Sequence, residues 1–371
     1  MKKQSIAILG TKGIPNAYGG FEQFAEYLSI FLKKNNFDVT VYNPNYRNEL
    51  ENYNGVKIIQ KWCPENLIGS SAHFIYDFLC LKDAINKNFD LILELGYHSL
   101  APSLLLLNTK NSKILVNMDG LEWKRSKWGY LTKKYIKSAE KITVLNSQYL
   151  ISDNYGIQDY IFKEYNKKSY MIAYGAETDL SFDKNILEDF NLTTEEYHLI
   201  IARIEPENNI EMILDGFLES NLRKDKFLIV GSHNNKYGKY LREKYCNYKN
   251  ISFFGGLYDF SKLNNLRKFA KIYFHGHSVG GTNPSLIEAM AASAFIFAHS
   301  NIFNKNVLGK NALYFNKSND VKNLLNDYDH ISLKRDKYIQ ENLNVVSKNY
   351  TWEIICCKYK ELVEKLLKMK N

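Results

Sequence analysis

The stretch Ser5-Ile6-Ala7-Ile8-Leu9-Gly10-Thr11-Lys12-Gly13-Ile14-Pro15-Asn16-Ala17-Tyr18-Gly19-Gly20 decides the fold. Ser5–Gly10 has the make-up of a short buried strand, and an amphipathic helix is expected from Gly20 to Lys34. A glycine-bearing loop that leaves a strand and enters a helix is the opening move of a Rossmann-like unit. Gly19 and Gly20 at the helix start allow backbone N–H groups close to an anion. The helix dipole adds about half a positive charge there. The glycines stand at 10, 13, 19 and 20, so the dinucleotide fingerprint is absent, and no Gly-Lys-Ser/Thr closes a P-loop. A tight turn that simply needs two glycines is the structural alternative.

Outward from this loop, strand-like runs alternate with helical ones. The strands expected in the first half are Ser5–Gly10, Val39–Tyr42, Leu91–Leu95, Lys113–Asn117 and Lys141–Leu145. Helices are expected near Gly20–Lys34, His73–Asn86 and Trp128–Ser138. The pattern restarts with strands at His198–Ala202, Phe227–Val230, Ile251–Phe254, Lys271–His275 and Ala294–Ala298. Helices in this half are expected at Ile210–Leu218, Tyr237–Tyr245, Phe260–Phe269 and Pro284–Ala292. Alternation of this kind predicts an α/β protein with two doubly wound parallel sheets. A length of 371 residues suits two domains. The boundaries read from the sequence are 1–185, 186–348 and a terminal helix in 349–371. In that helix Trp352, Ile355, Tyr359, Leu362 and Leu366 share one face, which must bury against something. Two such halves facing each other place a cleft at the carboxyl ends of their strands, so function is sought in loops that follow strands.

Composition excludes several classes. The five cysteines are odd in number and lack metal-type spacing, which fits buried thiols in a reducing compartment. No apolar run approaches the ~18–20 residues of a membrane span, and no signal peptide is visible. The expected setting is therefore cytoplasmic or peripheral. Net charge is +9, which suits an anionic partner or simply a lysine-rich solvated surface.

Three loops carry candidate chemistry. Asn117-Met118-Asp119-Gly120-Leu121-Glu122-Trp123-Lys124-Arg125 follows a strand, and Asp119 and Glu122 can hydrogen-bond a sugar hydroxyl or take its proton, or else cap a helix. Arg203 leaves the first strand of the second half, and its fork suits bidentate phosphate contact; a structural ion pair with Glu205 or Glu207 is the alternative. In the third loop, His275 to Met290, Gly280 and Gly281 free backbone amides, Thr282 or Asn283 caps the following helix, and Pro284 suits its first turn. Glu288, one turn in, suits ribose hydroxyls. His275 and His277 have no third ligand nearby, so no metal is expected.

From Glu122 to Lys141 seven cations, Lys124, Arg125, Lys127, Lys133, Lys134, Lys137 and Lys141, are interleaved with Trp123, Trp128, Tyr130 and Tyr135. Such a stretch suits an anionic membrane face. A solvated helix with Trp128, Leu131, Tyr135 and Ala139 facing the core is the alternative. No nucleic-acid-binding motif accompanies it, and no nucleic-acid partner is expected.

Together these motifs resemble the retaining glycosyltransferases of the GT-B fold, in the large family four. More narrowly they resemble a bacterial subgroup that opens with a Lys-Gly-Ile-Pro…Tyr-Gly-Gly-Phe-Glu loop, here Lys12 to Glu22. That subgroup includes rhamnosyltransferases building capsule, O-antigen and cell-wall polysaccharides. Asp119–Arg125 resembles its second signature, Arg203–Asn209 and Gly276–Met290 its donor-binding region, and Tyr350-Thr351-Trp352 the entry to a terminal helix that crosses back onto the N-terminal domain. Two positions depart from the wider family: Gly280 stands where its first Glu would be, and Asn208 where its Lys would be. The resemblance implies transfer with retention, without metal or cofactor, from a dTDP- or UDP-sugar to a lipid-linked saccharide on the inner face of the cytoplasmic membrane. It implies Arg203, Asp119 and Glu122 as catalytic residues. Donor binding would fall to Lys12, Gly19, Gly20, Arg203, Asn208, His277, Gly280, Gly281, Thr282, Asn283, Ser285 and Glu288. Trp123, Lys124, Arg125, Lys127 and Trp128 would meet membrane or acceptor. Competing readings are a nucleotide-sugar epimerase of similar shape, a dehydrogenase, disfavoured by the missing fingerprint, and a non-enzymatic protein that binds anionic surfaces.

Overall fold

The structure, a computed structural model, describes residues 3–17, 19–46, 49–109 and 112–369; Tyr18 of the glycine loop lies outside them. The chain divides into two compact units. One comprises Met1–Trp123, Tyr130–Gly175 and Trp352–Asn371, the other Lys124–Gly129 and Ala176–Thr351. The break at Gly175 falls ten residues ahead of the boundary read from the sequence, and the short piece Lys124–Gly129 departs from the segments around it.

The first unit is built on strands β1 (Ser5–Leu9), β2 (Asp38–Pro44), β3 (Asn52–Tyr53), β4 (Val56–Lys61), β5 (Leu91–Leu95), β6 (Ile114–Asn117), β7 (Tyr149–Ser152) and β8 (Tyr170–Met171). Their spatial order is β3-β4-β2-β1-β5-β6-β7-β8, parallel except for the β3–β4 pair. The four apolar residues of β1 are fully buried, as a strand covered on both faces requires. Strand order reverses between β1 and β5, so the loop Gly10–Gly19 leaves the sheet at its switch point.

Lys141–Leu145 is not a strand. It completes the helix Tyr130–Asn146, and the strand of this region is β7. The run Ile142-Thr143-Val144 has β-branched composition, but its partners are set at helical spacing. Ile136, Ala139, Glu140, Thr143 and Val144 are buried along one face, and the Thr143 hydroxyl donates to the Tyr97 carbonyl. Tertiary burial overrides local propensity here.

The terminal helix Trp352–Lys368 belongs to the first unit and packs on the helix Gly20–Lys34. Trp352, Ile355, Tyr359, Leu362 and Leu366 are all buried. Trp352 stacks on Tyr27 at 4.5 Å between ring centroids, and Tyr359 meets Phe24 at 4.8 Å. A Cβ at Gly175 would lie 2.6 Å from the Trp352 ring, so glycine is required where the chain leaves the unit. Lys113 Nζ donates to the carbonyls of Leu366 and Met369, placing a cation at the negative end of the helix dipole.

The second unit is a six-stranded, wholly parallel sheet of β9 (Tyr197–Ile201), β10 (Lys226–Val230), β11 (Ile251–Phe253), β12 (Ile272–His275), β13 (Ile296–His299) and β14 (Leu313–Phe315). Its order is β11-β10-β9-β12-β13-β14, which reverses between β9 and β12. One face is filled by Phe217, Phe227, Phe274, Phe297 and Phe315 with surrounding aliphatic residues.

Two predictions follow from the first unit's core. Ile355 is fully buried, so Ile355→Ala should cost about 2–5 kcal/mol, seen as a lowered urea midpoint for that unit; an unchanged midpoint would show that the terminal helix adds no stability. The second concerns Glu94 on β5 and Asp77 on the helix Ala72–Asn86, both buried carboxyls. Burial, then the Asp77 charge, pushes the Glu94 carboxyl well up, and burial pushes Asp77 up to about 7. The unfolded chain releases these protons near pH 4. The folded unit thus holds more protons between about pH 4 and 7, and above that for Glu94, so its stability falls as pH rises through this window. Asp77→Asn should flatten the slope of urea midpoint against pH between 5 and 8; slopes equal to the parent's would refute the assignment.

Candidate functional site

Ligands of open α/β sheets bind at the carboxyl ends of the strands where strand order reverses. In the second unit that point lies between β9 and β12, and the two loops leaving it are Ala202–Asn209 and Gly276–Asn283. Their backbones touch. A Cβ at Gly276 would lie 2.0 Å from the Asn208 carbonyl oxygen, so no other residue fits there.

Four asparagine side chains hold these loops. Asn208 Nδ2 donates to the Arg203 carbonyl at 2.6 Å, and its Oδ1 lies 2.6 Å from His277 Nδ1. Asn209 Nδ2 donates to the Gly276 carbonyl, and Asn301 and Asn304 both donate to the His277 carbonyl. Because the Asn208 amide nitrogen is committed to Arg203, its oxygen faces the imidazole, and Nδ1 of neutral His277 carries the proton. Burial first, then His275, Arg125 and Arg203, holds His277 well below its ordinary pKa, so it is neutral. Burial likewise pushes His275 down to about 3. Asn208 is therefore a tie between two loops, with both ends of its amide used inside the protein.

Arg203 is exposed, and its guanidinium makes no hydrogen bond or ion pair among the described residues. The ion pair with Glu205 or Glu207 that the sequence allowed does not form. Glu288 lies in the helix Pro284–Ala291 and is held by Arg267, a fully buried side chain, through NH2···Oε2 at 2.5 Å. Arg267 also donates to Asn264 Oδ1 and Ser285 Oγ. Ser285 completes an internal network with Tyr273 and the Ile201 carbonyl. Asn283 caps the helix by accepting from Ser285 N, as its residue type predicts. Gly280 has φ +129°, and a Cβ there would lie 3.2 Å from His277 Nε2. Thr282 is buried and Gly281 half-buried.

In the first unit the glycine loop is tied by side chains the sequence reading did not single out. Glu22, buried one turn into the helix Gly20–Lys34, accepts from Lys12 N at 2.7 Å and from the Thr11 hydroxyl. Asn43 pairs with both backbone groups of Ile14, and Gly13 at φ +91° leaves room for that amide. Gly19 is the cap residue of the helix, and no side chain caps it. Lys12 Nζ pairs with Glu65 at 2.7 Å. Asp119 follows β6 in the left-handed region at φ 49°, with its N–H donating to Asn117 Oδ1. Glu122 is buried beside it in a short 3₁₀ turn.

The basic aromatic segment splits between the units. Trp123 is half-buried in the first unit and donates Nε1–H to the buried Glu140 at 2.9 Å. Glu140 also accepts from Lys137, Tyr160 and Tyr165. Trp123 thus joins a cage of hydrogen bonds around Glu140. Lys124, Arg125, Lys127 and Trp128 lie in the second unit, where Ser126 Oγ donates to Glu207 Oε2 at 2.9 Å. Lys127 lies over the Trp128 ring at 4.6 Å. So the second unit gathers Arg125, Arg203, Asn208, His277, Gly280 to Asn283, Ser285 and Glu288, and the first holds Lys12, Gly19, Gly20, Asp119, Glu122 and Trp123. The hydrogen-bonding residues Arg267, Asn209, Asn301 and Asn304 were not foreseen. Asn301 sits just before a helix and is its cap, which is the signal that would have drawn attention to it.

Residues 183–343 match the family described as Glycosyl transferases group 1, and residues 3–177 match one described as a Domain of unknown function (DUF1972). No curated protein matches the sequence. Among solved structures, a glycosyltransferase from Rickettsia africae aligns over 100% of both chains with 15% identity and a TM-score of 0.74. Sucrose-phosphate synthase from Thermosynechococcus elongatus aligns over 98% of this chain and 99% of its own, with 15% identity and a TM-score of 0.78. HepE of Anabaena, solved in complex with UDP and glucose, aligns over 98% of this chain and 100% of its own, with 13% identity and a TM-score of 0.74. The chain therefore has the two-domain GT-B fold, and its residues 183–343 match the glycosyl transferases group 1 family.

Proposed function

We propose that the chain is a retaining glycosyltransferase that moves a sugar, with rhamnose favoured, from a nucleotide-sugar donor to a lipid-linked saccharide acceptor. The observation that carries this reading is the switch point of the second sheet. There Arg203 presents a guanidinium without a partner among the described residues, and Glu288 is held by Arg267 through one oxygen while its side chain keeps 15% exposure. The helix Pro284–Ala291 begins beside Gly280 and Gly281, with its amide dipoles toward the loop. A cation and a helix N-terminus suit a diphosphate; a carboxylate fixed by one oxygen suits the paired hydroxyls of a ribose. The group 1 domain spans these residues, and the HepE structure with UDP and glucose supports a nucleotide-sugar donor. Rhamnose is favoured by the likeness of Lys12–Glu22 and Asp119–Arg125 to the rhamnosyltransferase subgroup.

In the proposed reaction the bond between the anomeric carbon and the diphosphate oxygen breaks. A bond from that carbon to the acceptor hydroxyl oxygen forms on the same face, and the hydroxyl proton passes to the leaving diphosphate. No cofactor, metal or protein nucleophile enters this scheme. Arg203 and the amides of the helix start stabilise the charge that develops on the leaving group. Asp119, with Glu122 second, orients sugar hydroxyls; Gly19 and Gly20 let the backbone approach.

The acceptor's lipid suggests attachment to the inner face of the cytoplasmic membrane, and the first unit offers a surface for it. No helix among the described residues is long and apolar enough to cross a membrane. Leu67 and Ile68, and Leu105 and Leu106, are exposed on two short helices that pack on the helix Ala72–Asn86, and Tyr130 and Leu131 are exposed at the start of a helix that packs on the second of these. Lys134 and Lys141 are exposed on the helix Tyr130–Asn146 that carries the last pair. Apolar tips flanked by lysines suit anionic lipid.

The test is thermal stabilisation by dTDP-, UDP- and GDP-sugars, followed by turnover on a lipid-linked saccharide. A donor at 100 times its Kd should add about 2.7 kcal/mol to the native state. dTDP-rhamnose is the expected donor, and a product of unchanged anomeric configuration is expected by NMR. Arg203→Ala should lower kcat by about 100-fold or more. Glu288→Gln should raise the donor KM and, by leaving buried Arg267 without its counter-charge, should cost about 3–5 kcal/mol of stability. Folded protein that no nucleotide sugar stabilises would overturn the reading.

A further inference from the structure

Glu207 is the point at which three segments of the second unit are tied. Its carboxylate accepts from Ser126 Oγ at 2.9 Å, and its backbone carbonyl accepts from both the N–H and the hydroxyl of Ser278, at 3.0 and 2.9 Å. Ser126 belongs to Lys124–Gly129, Glu207 to the loop after β9, and Ser278 to the loop after β12. Arg125 therefore stands next to the first tie, Arg203 shares the loop of the second, and His277 and Gly280 flank the third.

The placement of Arg125 has a second mark. It is half-buried, whereas its neighbour Lys124 is exposed. The imidazole of His277 responds to two guanidinium charges, that of Arg125 and that of Arg203, which places both near one ring. A nucleotide sugar carries two negative charges on its diphosphate, and a further one develops as the sugar departs. A single guanidinium leaves that charge undercompensated, and Asn208, facing inward, adds none.

We propose that Arg125 is a second donor-binding cation, which acts with Arg203 on the diphosphate of the nucleotide-sugar donor. The inference rests on the nucleotide-sugar reading above and removes Arg125 from the membrane face to which its neighbours in sequence assign it. The piece Lys124–Gly129 then serves the donor domain, although it is encoded between β6 and the helix Tyr130–Asn146 of the first unit.

The experiment is calorimetric titration of the full chain with UDP, dTDP and GDP and with the matching monophosphates. Arg125→Gln should weaken binding of the preferred diphosphate about tenfold or more, about 1.4 kcal/mol, and reduce the preference for diphosphate over monophosphate. Lys239→Gln, an exposed charge change in the same unit, should bind as the parent does. A second measurement uses the parent protein alone: phenylglyoxal labelling read by peptide mass spectrometry, in which the diphosphate should protect Arg125 as well as Arg203. A folded Arg125→Gln protein that binds as the parent does, or Arg203 protected while Arg125 is not, overturns the inference and leaves the function standing. A parent that binds no nucleoside diphosphate overturns both. Loss of binding to phosphatidylglycerol vesicles on Arg125→Gln, with nucleotide affinity unchanged, returns Arg125 to the membrane face.

Discussion

The contact on which the second unit's site depends is backbone against backbone: the Asn208 carbonyl oxygen lies so near Gly276 that a single added carbon would sit 2.0 Å from it. That approach brings the loops after β9 and β12 within reach of one amide side chain, and Asn208 spans them with a hydrogen bond at each end. The consequences run outward. Its nitrogen fixes the Arg203 backbone, which leaves the guanidinium to reach solvent. Its oxygen fixes the His277 tautomer. A lysine at 208 would find no acceptor-and-donor pair to bridge and would bring a charge into a space that is 6% exposed. At this position, where the sequence departs from the family it resembles, the asparagine ties the two loops together.

The same division of labour recurs across the candidate residues. Lys12 pairs with Glu65, Ser285 is enclosed by Tyr273 and Arg267, Asn283 caps its helix, and Trp123 is bound to Glu140. These side chains shape loops whose backbone is then available. Beside them Arg203 is exposed and the Glu288 side chain keeps 15% exposure. Groups whose rotamers and dipoles are already held need little reorganisation when charge develops beside them, which is the condition under which electrostatic stabilisation is effective.

The sheet architecture was legible because buried parallel strands are short apolar runs punctuated by glycine, and β1, β5, β10 and β12, followed by Gly10, Gly96, Gly231 and Gly276, announce themselves that way. Lys141–Leu145 misled because β-branched content describes a strand and a buried helix face equally well; only the spacing of its buried partners separates them. Strands β3, β8 and β14 have two or three residues each and carry too little pattern to read. In the site, residue type predicted the Asn283 cap and the exposed Arg203, whose roles are local. The roles of Arg267, Asn301 and Asn304 depend on partners more than twenty residues away or on a neighbouring loop, and no local pattern encodes them. Composition grouped Trp123 through Trp128 as one basic aromatic patch, yet the chain leaves the first unit after Trp123 and returns at Tyr130.

The neutral state of His277 bears on which groups carry the charge at this end of the sheet. An imidazole near two guanidinium groups and beside His275 is penalised as a cation both by burial and by repulsion. The positive charge at this end of the sheet is therefore carried by guanidinium groups and by backbone dipoles rather than by the imidazole. Had the imidazole carried it, the attraction for an anionic donor would rise and fall between pH 5 and 8. Under the nucleotide-sugar reading, donor affinity should then follow the ionisation of the donor and not that of the site. The histidine contributes shape and a fixed lone pair, while the arginines contribute the charge.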